Sequence, residues 1–453
     1  MDHTTPTLAP PDRASVRAAL ERRDAGQLRF WAEHRLIELA DLLAALDEGQ
    51  TATAAELLGD ELTAEVVAEL DPGEAADVLE RLDPADAADV LEEMAPDDAA
   101  DVVEELGESE AADVLAAMES ADATALRGIL AYPEDTAGHL MTPEFVAVRP
   151  DWTVERAIAE MRRQADEAEV VYYVYVTDDA GHLLGVLSLR DLFRARSAQP
   201  VTTVMVPSAV RVLATADQEE VARLFRGTRF LALPVVDDQD RLLGIVTVDD
   251  VQDVIAEEAA EDMERLGGSQ PLDDPYLRAG VFQIVRKRVV WLLLLFAAEA
   301  YTGSVLRAFG DELQAVVALA FFIPLLIGTG GNVGSQTITT IIRAMGADEV
   351  RWDDLGRVFW KELRVSAVLG TVMATTALAR AWTLAVPLRV GTVVALAACA
   401  IVLWAGMVAA VLPLVLRRLR IDPAVVSAPM ITTLVDGTGL VIYFELARYV
   451  LAL

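Results

Sequence analysis

Residues 427–439 read Ser427-Ala428-Pro429-Met430-Ile431-Thr432-Thr433-Leu434-Val435-Asp436-Gly437-Thr438-Gly439, an apolar run with one carboxylate near its end. The run lies within 424–451, and about 20 apolar residues suffice to cross a bilayer. An unpaired Asp in mid-span costs at least ~2.5–3.5 kcal/mol on insertion scales, so such a group faces water or a partner. A second stretch shares the character: Phe322-Ile323-Pro324-Leu325-Leu326-Ile327-Gly328-Thr329-Gly330-Gly331-Asn332-Val333-Gly334-Ser335-Gln336-Thr337. Here Pro324 predicts a kink ahead of a glycine-rich segment. Glycine and proline free backbone carbonyls, which are tolerated at membrane depth only beside a cavity or against protein. The two stretches together predict an aqueous, acidic, carbonyl-lined path. Close packing of small residues accounts for the glycines alone, but it leaves Asp436 and Asn332 without a purpose.

Outward from these runs, five apolar stretches qualify as spans: 289–309, 313–342, 358–386, 391–416 and 424–451. Eleven Lys and Arg residues (Arg286, Lys287, Arg288, Arg343, Arg351, Arg357, Lys361, Arg364, Arg417, Arg418 and Arg420) fall on one side of the spans. Only Arg307, Arg380, Arg389 and Arg448 fall on the other, which predicts a cytoplasmic N-terminal half and an extracytoplasmic C-terminus. Glu299 is a second carboxylate inside a span. It pairs with Arg364 or Arg380, or lies near the pore, and the residues leave that choice open.

The whole chain has 453 residues, 53% of them hydrophobic, yet carries a net charge of −35. Residues 1–270 hold 59 acidic against 21 basic residues, whereas 271–453 hold 13 against 16. An acidic soluble half is therefore joined to a membrane half. The acidic half repels polyphosphate, which argues against a nucleic-acid partner, and it attracts cations. The single cysteine, Cys399, excludes a disulfide framework and a Cys-based zinc or redox site. Residues 1–18 lack a basic segment followed by an apolar core, so no signal peptide is read there and the soluble half is expected in the cytosol.

Within that half, residues 13–70 read as amphipathic helix, with Leu36, Leu39, Leu42, Leu43 and Leu46 at helical spacing. A 12-residue repeat follows. The word Ala-Ala-Asp-Val begins at Ala75, Ala87, Ala99 and Ala111, and acidic or Asp-Pro turns precede most copies. Each unit predicts one short helix with an acidic start, too small to bury a face alone, so the units must stack into a superhelix. Asp77, Asp89, Asp101 and Asp113 recur at one place in each unit: a solvated acidic face, or a low-affinity surface for divalent cations.

From residue 137 short strands alternate with helices, twice. Leu140-Met141-Thr142-Pro143 is echoed by Val204-Met205-Val206-Pro207, and Gly185-Val186-Leu187-Ser188-Leu189-Arg190-Asp191 by Gly244-Ile245-Val246-Thr247-Val248-Asp249-Asp250. These paired units resemble a tandem CBS module over residues 138–255. In that family the strand-end hydroxyl and acid often hold the ribose and phosphates of an adenine nucleotide. The resemblance thus implies Ser188 with Asp191 in one cleft and Thr247 with Asp250 in the other; a purely structural pair is the alternative. Residues 251–266, with Asp253, Glu257, Glu258, Glu261, Asp262 and Glu264, predict an acidic helix ended by Gly267-Gly268. A linker over 269–274, with Pro271 and Pro275, ties it to the first span, as a plain connector or as a gate lever.

A carboxylate with carbonyls and hydroxyls suits a hard cation, and no Cys, Met or His cluster in the spans offers soft ligands. Mg²⁺ dehydrates reluctantly, so a wide site for the hydrated ion is physically reasonable. The residues alone reach "divalent cation". The acidic helical N-domain, tandem CBS pair, acidic helix and five spans resemble the MgtE family of Mg²⁺ transporters and channels across essentially the whole chain. The specific motifs are 140–143, 328–336 and 429–439 taken together.

That resemblance implies a multi-domain protein: an all-α superhelical N-domain (1–136), an α/β tandem CBS pair (137–250), an acidic plug helix (251–268), a linker (269–288) and an all-α domain of five transmembrane helices (289–453). It implies a homodimer in the cell membrane, with the pore between spans two and five and the two Asp436 carboxylates facing each other. Asp436, Thr432, Asn332 and Gly328 are then the candidate pore residues. Cytosolic Mg²⁺ is expected on Asp97, Asp98, Asp217, Asp250, Asp253, Glu258 and Asp262, closing the gate by negative feedback, with ATP a possible occupant of the CBS clefts. Arg226 and Arg229 stand where acids are expected in the second CBS unit, so one regulatory site is missing or replaced by a salt bridge. The rivals are a carrier coupled to H⁺ or Na⁺ and a nucleotide-regulated receptor. No Walker loop, HExxH, nucleophile elbow or kinase set supports an enzyme.

Overall fold

The computed structural model describes residues 10–165, 168–207, 209–272, 276–347 and 349–453. The extreme N-terminus, read above for a leader, and linker residues Asp273, Asp274 and Pro275 lie outside them. The chain divides into two compact units, the first ending at Ala256 and the second beginning at Glu257.

The first unit opens with helices Arg13–Glu21, Ala25–His34, Leu36–Leu43, Glu48–Leu58 and Asp60–Ala68. The amphipathic stretch is thus not one long helix, and its punctuation is legible. Asp12, Asp24 and Asp47 each accept a hydrogen bond from a backbone N–H in the following first turn, and Gly59, at φ 86°, separates the last two helices. The repeat folds as Pro72–Leu79, Pro84–Glu92, Pro96–Glu105 and Glu108–Ala117. Proline at the start of the first three lacks only an N–H that the first turn leaves unbonded anyway. In the first unit of the repeat Ala75, Ala76, Val78 and Leu79 are buried, with Asp77 turned out. Each repeat helix packs on the next but one, which generates the superhelix.

The CBS pair carries two small sheets. In the first, β1 (Ala147–Val148), β2 (Tyr173–Thr177), β3 (Leu183–Ser188) and β4 (Val206–Pro207) lie in that order. In the second the order is β5 (Val212–Leu213), β6 (Ala232–Val236) and β7 (Leu242–Thr247). Tyr173 pairs with Ser188 and Ala232 with Thr247, so the internal echo survives as matching register. The leading motifs exchange places. Val206 and Pro207 edge the first sheet at Val186 and Gly185, while Thr142, from the first copy, bridges Ile245 of the second. A Cβ on Gly185 or Gly244 would meet a backbone oxygen at 2.8 or 2.6 Å, which is why glycine recurs in both copies.

The connecting helix runs Val248–Gly267, three residues longer at its start than expected, and takes Asp249 and Asp250 into its first turn. Gly268 stops it at φ +78°, a conformation costly to any residue with a Cβ.

Among the described residues, the second unit contains five helices long and apolar enough to cross a membrane: Val281–Ala308, Val317–Gly346, Trp352–Thr383, Leu388–Arg418 and Ala428–Leu451, called spans one to five below. Two expectations need correcting. Pro324 does not kink span two; it occupies the first turn of helix Ile323–Gly346, after a 3₁₀ segment Val317–Phe322, where proline fits. The glycines behind it do not free backbone carbonyls, because the helix is continuous. They admit neighbours: a Cβ on Gly330 would lie 2.6 Å from Ile401 and 2.7 Å from Val435, and one on Gly331 2.8 Å from Thr432. Gly330→Ala should therefore cost about 1–3 kcal/mol by overpacking. Gly328→Ala, with open space around it, should gain about 0.5–1 kcal/mol of helix propensity. Thermal unfolding of the two variants in detergent should move in opposite directions.

Candidate functional site

Three carboxylates in the first unit converge, each with an oxygen within 4.8 Å of the others: Asp97, Glu169 and Asp250. Asp97 comes from the first turn of repeat helix Pro96–Glu105, Glu169 from the segment before β2, and Asp250 from the first turn of the connecting helix. Thr247, wholly buried at the end of β7, donates its hydroxyl to Asp250 Oδ2 and Asp249 Oδ1, both at 2.5 Å, and its N–H to Asp250 Oδ2 at 3.2 Å. Asp97 is 6% exposed, and among the described residues its Oδ1 has no hydrogen-bond partner; Glu169 Oε2 is also buried without one there.

Charge crowding shows in the acidities. Burial, then the Asp250 charge, pushes Asp97 well above the usual carboxylate range. The same two causes push Glu169 up to about 7. Asp98 is also pushed up to about 7, by burial and then by Asp250, Asp101, Asp249 and Asp253. Asp250 and Asp253 are raised by burial first, with Asp249 adding to both. A site with orphaned carboxylate oxygens fits a hard divalent cation with oxygen ligands. Near pH 7 a proton competes for Glu169 and for the neighbouring Asp98.

Of the acids expected to bind cytosolic cations, Asp97, Asp98, Asp250 and Asp253 thus share one electrostatic neighbourhood. Asp217 lies apart as the exposed N-cap of helix Gln218–Gly227, accepting from the Glu219 N–H at 2.9 Å. Glu258 and Asp262 lie on the later turns of the connecting helix, in the second unit. Ser188 and Asp191 bind each other: the Ser188 hydroxyl donates to Asp191 Oδ2 at 2.5 Å and accepts from the Asp191 N–H. Glu169 was missed by sequence reasoning. It belongs to an acid-rich stretch, 166–169, but no spacing rule marks it, since only the fold brings it to the other two.

In the membrane unit Asp436 is partly buried on span five, and its Oδ1 has no hydrogen-bond partner among the described residues. The neighbouring Gly437 lets span one approach so closely that a Cβ there would strike the Tyr301 ring and lie 3.3 Å from Thr302 Oγ1. Glu299 is exposed on span one and, among the described residues, forms an ion pair with neither Arg364 nor Arg380. Thr432 Oγ1 lies 3.3 Å from Ser335 Oγ, joining spans five and two. On span two, Gly328, Asn332, Gln336 and Thr340 fall four residues apart and are all exposed. A polar stripe at membrane depth is stable only against water or another protein surface.

Family models match three regions: the MgtE intracellular N domain over residues 35–135, CBS domains over 137–198 and 201–257, and the MgtE divalent cation transporter domain over 323–446. The magnesium transporter MgtE of Thermus thermophilus is 46% identical over 326 residues, 72% of each chain. The chain belongs to the MgtE family. The Bacillus subtilis magnesium transporter MgtE is 35% identical over 329 residues, covering 73% of this chain and 72% of its own. Among solved structures, the soluble part of a magnesium transporter is 36% identical, with a TM-score of 0.52, covering 55% of this chain and 98% of its own. The cytosolic domain of the Mg²⁺ channel MgtE in complex with ATP is 40% identical, with a TM-score of 0.50, covering 54% of this chain and all of its own.

This MgtE chain carries one more charged device that sequence reasoning passed over. His139, 3% exposed, points Nε2 at Asp101 Oδ1 (3.1 Å) and Glu104 Oε2 (3.5 Å) of the third repeat helix. Asp101 is thereby distinguished from its exposed counterparts Asp77, Asp89 and Asp113. The hydrogen bond to Asp101, reinforced by Glu104, raises the imidazole pKa against burial. Glu134 and Glu105 add negative charge around Glu104. A raised imidazole pKa contributes stability that is fully present below the unfolded value, near 6.5, and lost as pH rises through the folded value. The stability difference between wild type and His139→Gln should accordingly be largest near pH 6 and shrink steadily towards pH 9 in paired thermal melts.

Proposed function

We propose that the protein conducts Mg²⁺ across the cell membrane through a path lined by Asp436, Thr432, Asn332 and Gly328. The soluble half lies in the cytosol and the C-terminus outside. The observation that carries this reading is Asp436 itself, a carboxylate inside a helix long and apolar enough to span a membrane, with an oxygen that no group among the described residues satisfies. Two copies with Asp436 facing Asp436 across a two-fold axis make a site wide enough for a hydrated ion, and they cover the exposed polar stripe of span two. The family membership and the relatives named as magnesium transporters support the ion's identity.

The cytosolic carboxylates are read as the sensor. At high internal Mg²⁺, ions bridge Asp97, Glu169 and Asp250, with Asp98 and Asp253 beside them, and the gate closes. At low Mg²⁺ the unscreened acids repel one another and it opens. Asp217, Glu258 and Asp262 are assigned further regulatory contacts. A relative's cytosolic domain crystallised with ATP supports a nucleotide in the CBS pair, where Ser188, Asp191 and Thr247 remain the candidates. No catalytic role is assigned. Purified protein in liposomes should pass Mg²⁺ whether or not a pH or Na⁺ gradient is imposed. Flux that needs such a gradient identifies a coupled carrier, and no flux at all a receptor.

A further inference from the structure

A cavity of about 500 Å³ opens between spans two and three, with Ala398 of span four among its lining residues. Its wall is apolar. Phe322, Leu326 and Ala377 are buried at its inner side, and Leu325 and Phe321 flank it, exposed. The two hydroxyls that line it are already used: Thr329 donates to the Leu325 carbonyl at 2.7 Å, and Thr376 to that of Val372 at 2.9 Å. One lining group is charged, Arg380, near the end of span three. Its side chain makes a single long contact, 3.5 Å to Thr383 Oγ1, and no carboxylate among the described residues pairs with it. Arg448, counted on the same side of the spans, is by contrast bound to Glu312 at 2.8 Å and Glu445 at 3.3 Å.

We propose that this groove is a binding site for an anionic phospholipid, with the phosphate on the Arg380 guanidinium and an acyl chain along the wall of Phe322, Leu326 and Ala377. A guanidinium with free donors recognises a phosphate through parallel hydrogen bonds, and a largely apolar wall whose hydroxyl protons are already used favours an alkyl chain. The two requirements meet in a single amphiphile. A free anion satisfies the first and leaves the groove empty; an apolar additive satisfies the second and leaves the charge unpaired. The groove lies in the hydrocarbon region by the length and composition of its helices, where lipid is the surrounding solvent.

The test uses delipidated full-length protein and two probes with identical acyl chains, phosphatidylglycerol and phosphatidylcholine, with the lipid-bound species quantified by native mass spectrometry. Wild type should prefer phosphatidylglycerol by about fivefold, the worth of roughly one basic residue at an anionic headgroup. Arg380→Gln should reduce the preference to less than about twofold, and Arg380→Lys, which keeps the charge but loses the parallel hydrogen bonds, should fall between the two. Thr376→Trp, which fills the groove and leaves the charge in place, should weaken both lipids and so guards against misfolding of the arginine variants. The proposal is overturned if Arg380→Gln retains the preference, if Thr376→Trp binds both lipids as wild type does, or if millimolar inorganic phosphate displaces the lipid. It is also overturned if Thr376→Cys crosslinks two copies, since the groove is then covered by protein.

Discussion

Asp436→Ala should abolish most Mg²⁺ flux in proteoliposomes, by about a hundredfold or more, while the protein still inserts and melts at least as high as wild type. The size follows from the cost of a charge at membrane depth, ~2.5–3.5 kcal/mol, which a divalent ion at the site offsets. Without the carboxylate the ion meets that penalty instead, and each 1.4 kcal/mol on a barrier is about tenfold in rate. The direction of the stability change follows from the orphaned Oδ1: removing a buried acceptor that nothing satisfies relieves its desolvation penalty. Asp436→Asn, which keeps shape and loses charge, should conduct as poorly as Ala. If it conducts normally, shape and not charge selects the ion. Wild-type flux in both variants would remove Asp436 from the path altogether.

Much of the architecture was readable because its signals are local. Proline before Ala-Ala-Asp-Val gives helix starts at a 12-residue interval, whereas the leucine periodicity over 13–70 reads as helix without its breaks, which the structure places at the caps Asp12, Asp24 and Asp47. The five spans follow from hydropathy alone, with ends shifted by up to eight residues. What the sequence could not carry is long-range exchange. Nothing in 140–143 announces that Thr142 pairs with Ile245 of the other copy, 103 positions on along the chain. Glu169 is placed by a contact just as remote from any local pattern: its N–H donates to the Glu144 carbonyl at 3.3 Å, two residues beyond Thr142, so the third member of the acidic group was invisible to spacing rules. Span two misled in the opposite sense. Pro324 and four nearby glycines look like broken helix, yet proline in a first turn and glycine against Ile401, Val435 and Thr432 are what a close-packed continuous helix uses.

Replacing Asp97, Glu169 and Asp250 by Asn, Gln and Asn should leave a channel that no longer closes as internal Mg²⁺ rises, and a soluble half whose stability no longer responds to Mg²⁺. Two unit charges at about 4 Å repel by about 1–4 kcal/mol, depending on how far water screens them, so three mutual repulsions amount to about 3–12 kcal/mol, the range of the ~5.5 kcal/mol that turns a mostly open gate into a mostly shut one. The pH dependence supplies a second readout with a definite sign. These acids have folded pKa values raised above their unfolded ones, so between about pH 4 and 7 the folded state holds the extra protons, and ion-free stability falls as pH rises through that window. Mg²⁺ takes the place of the protons, so its stabilising effect should be small near pH 5.5 and full near pH 8. In the triple variant the Mg²⁺ shift should vanish, the pH slope should flatten, and ion-free protein at pH 8 should melt higher than wild type. A triple variant that still closes normally would show that the sensing acids lie elsewhere, with Asp217, Glu258 and Asp262 next in line. One that stays open yet keeps its Mg²⁺-dependent melting would separate binding at this cluster from control of the gate.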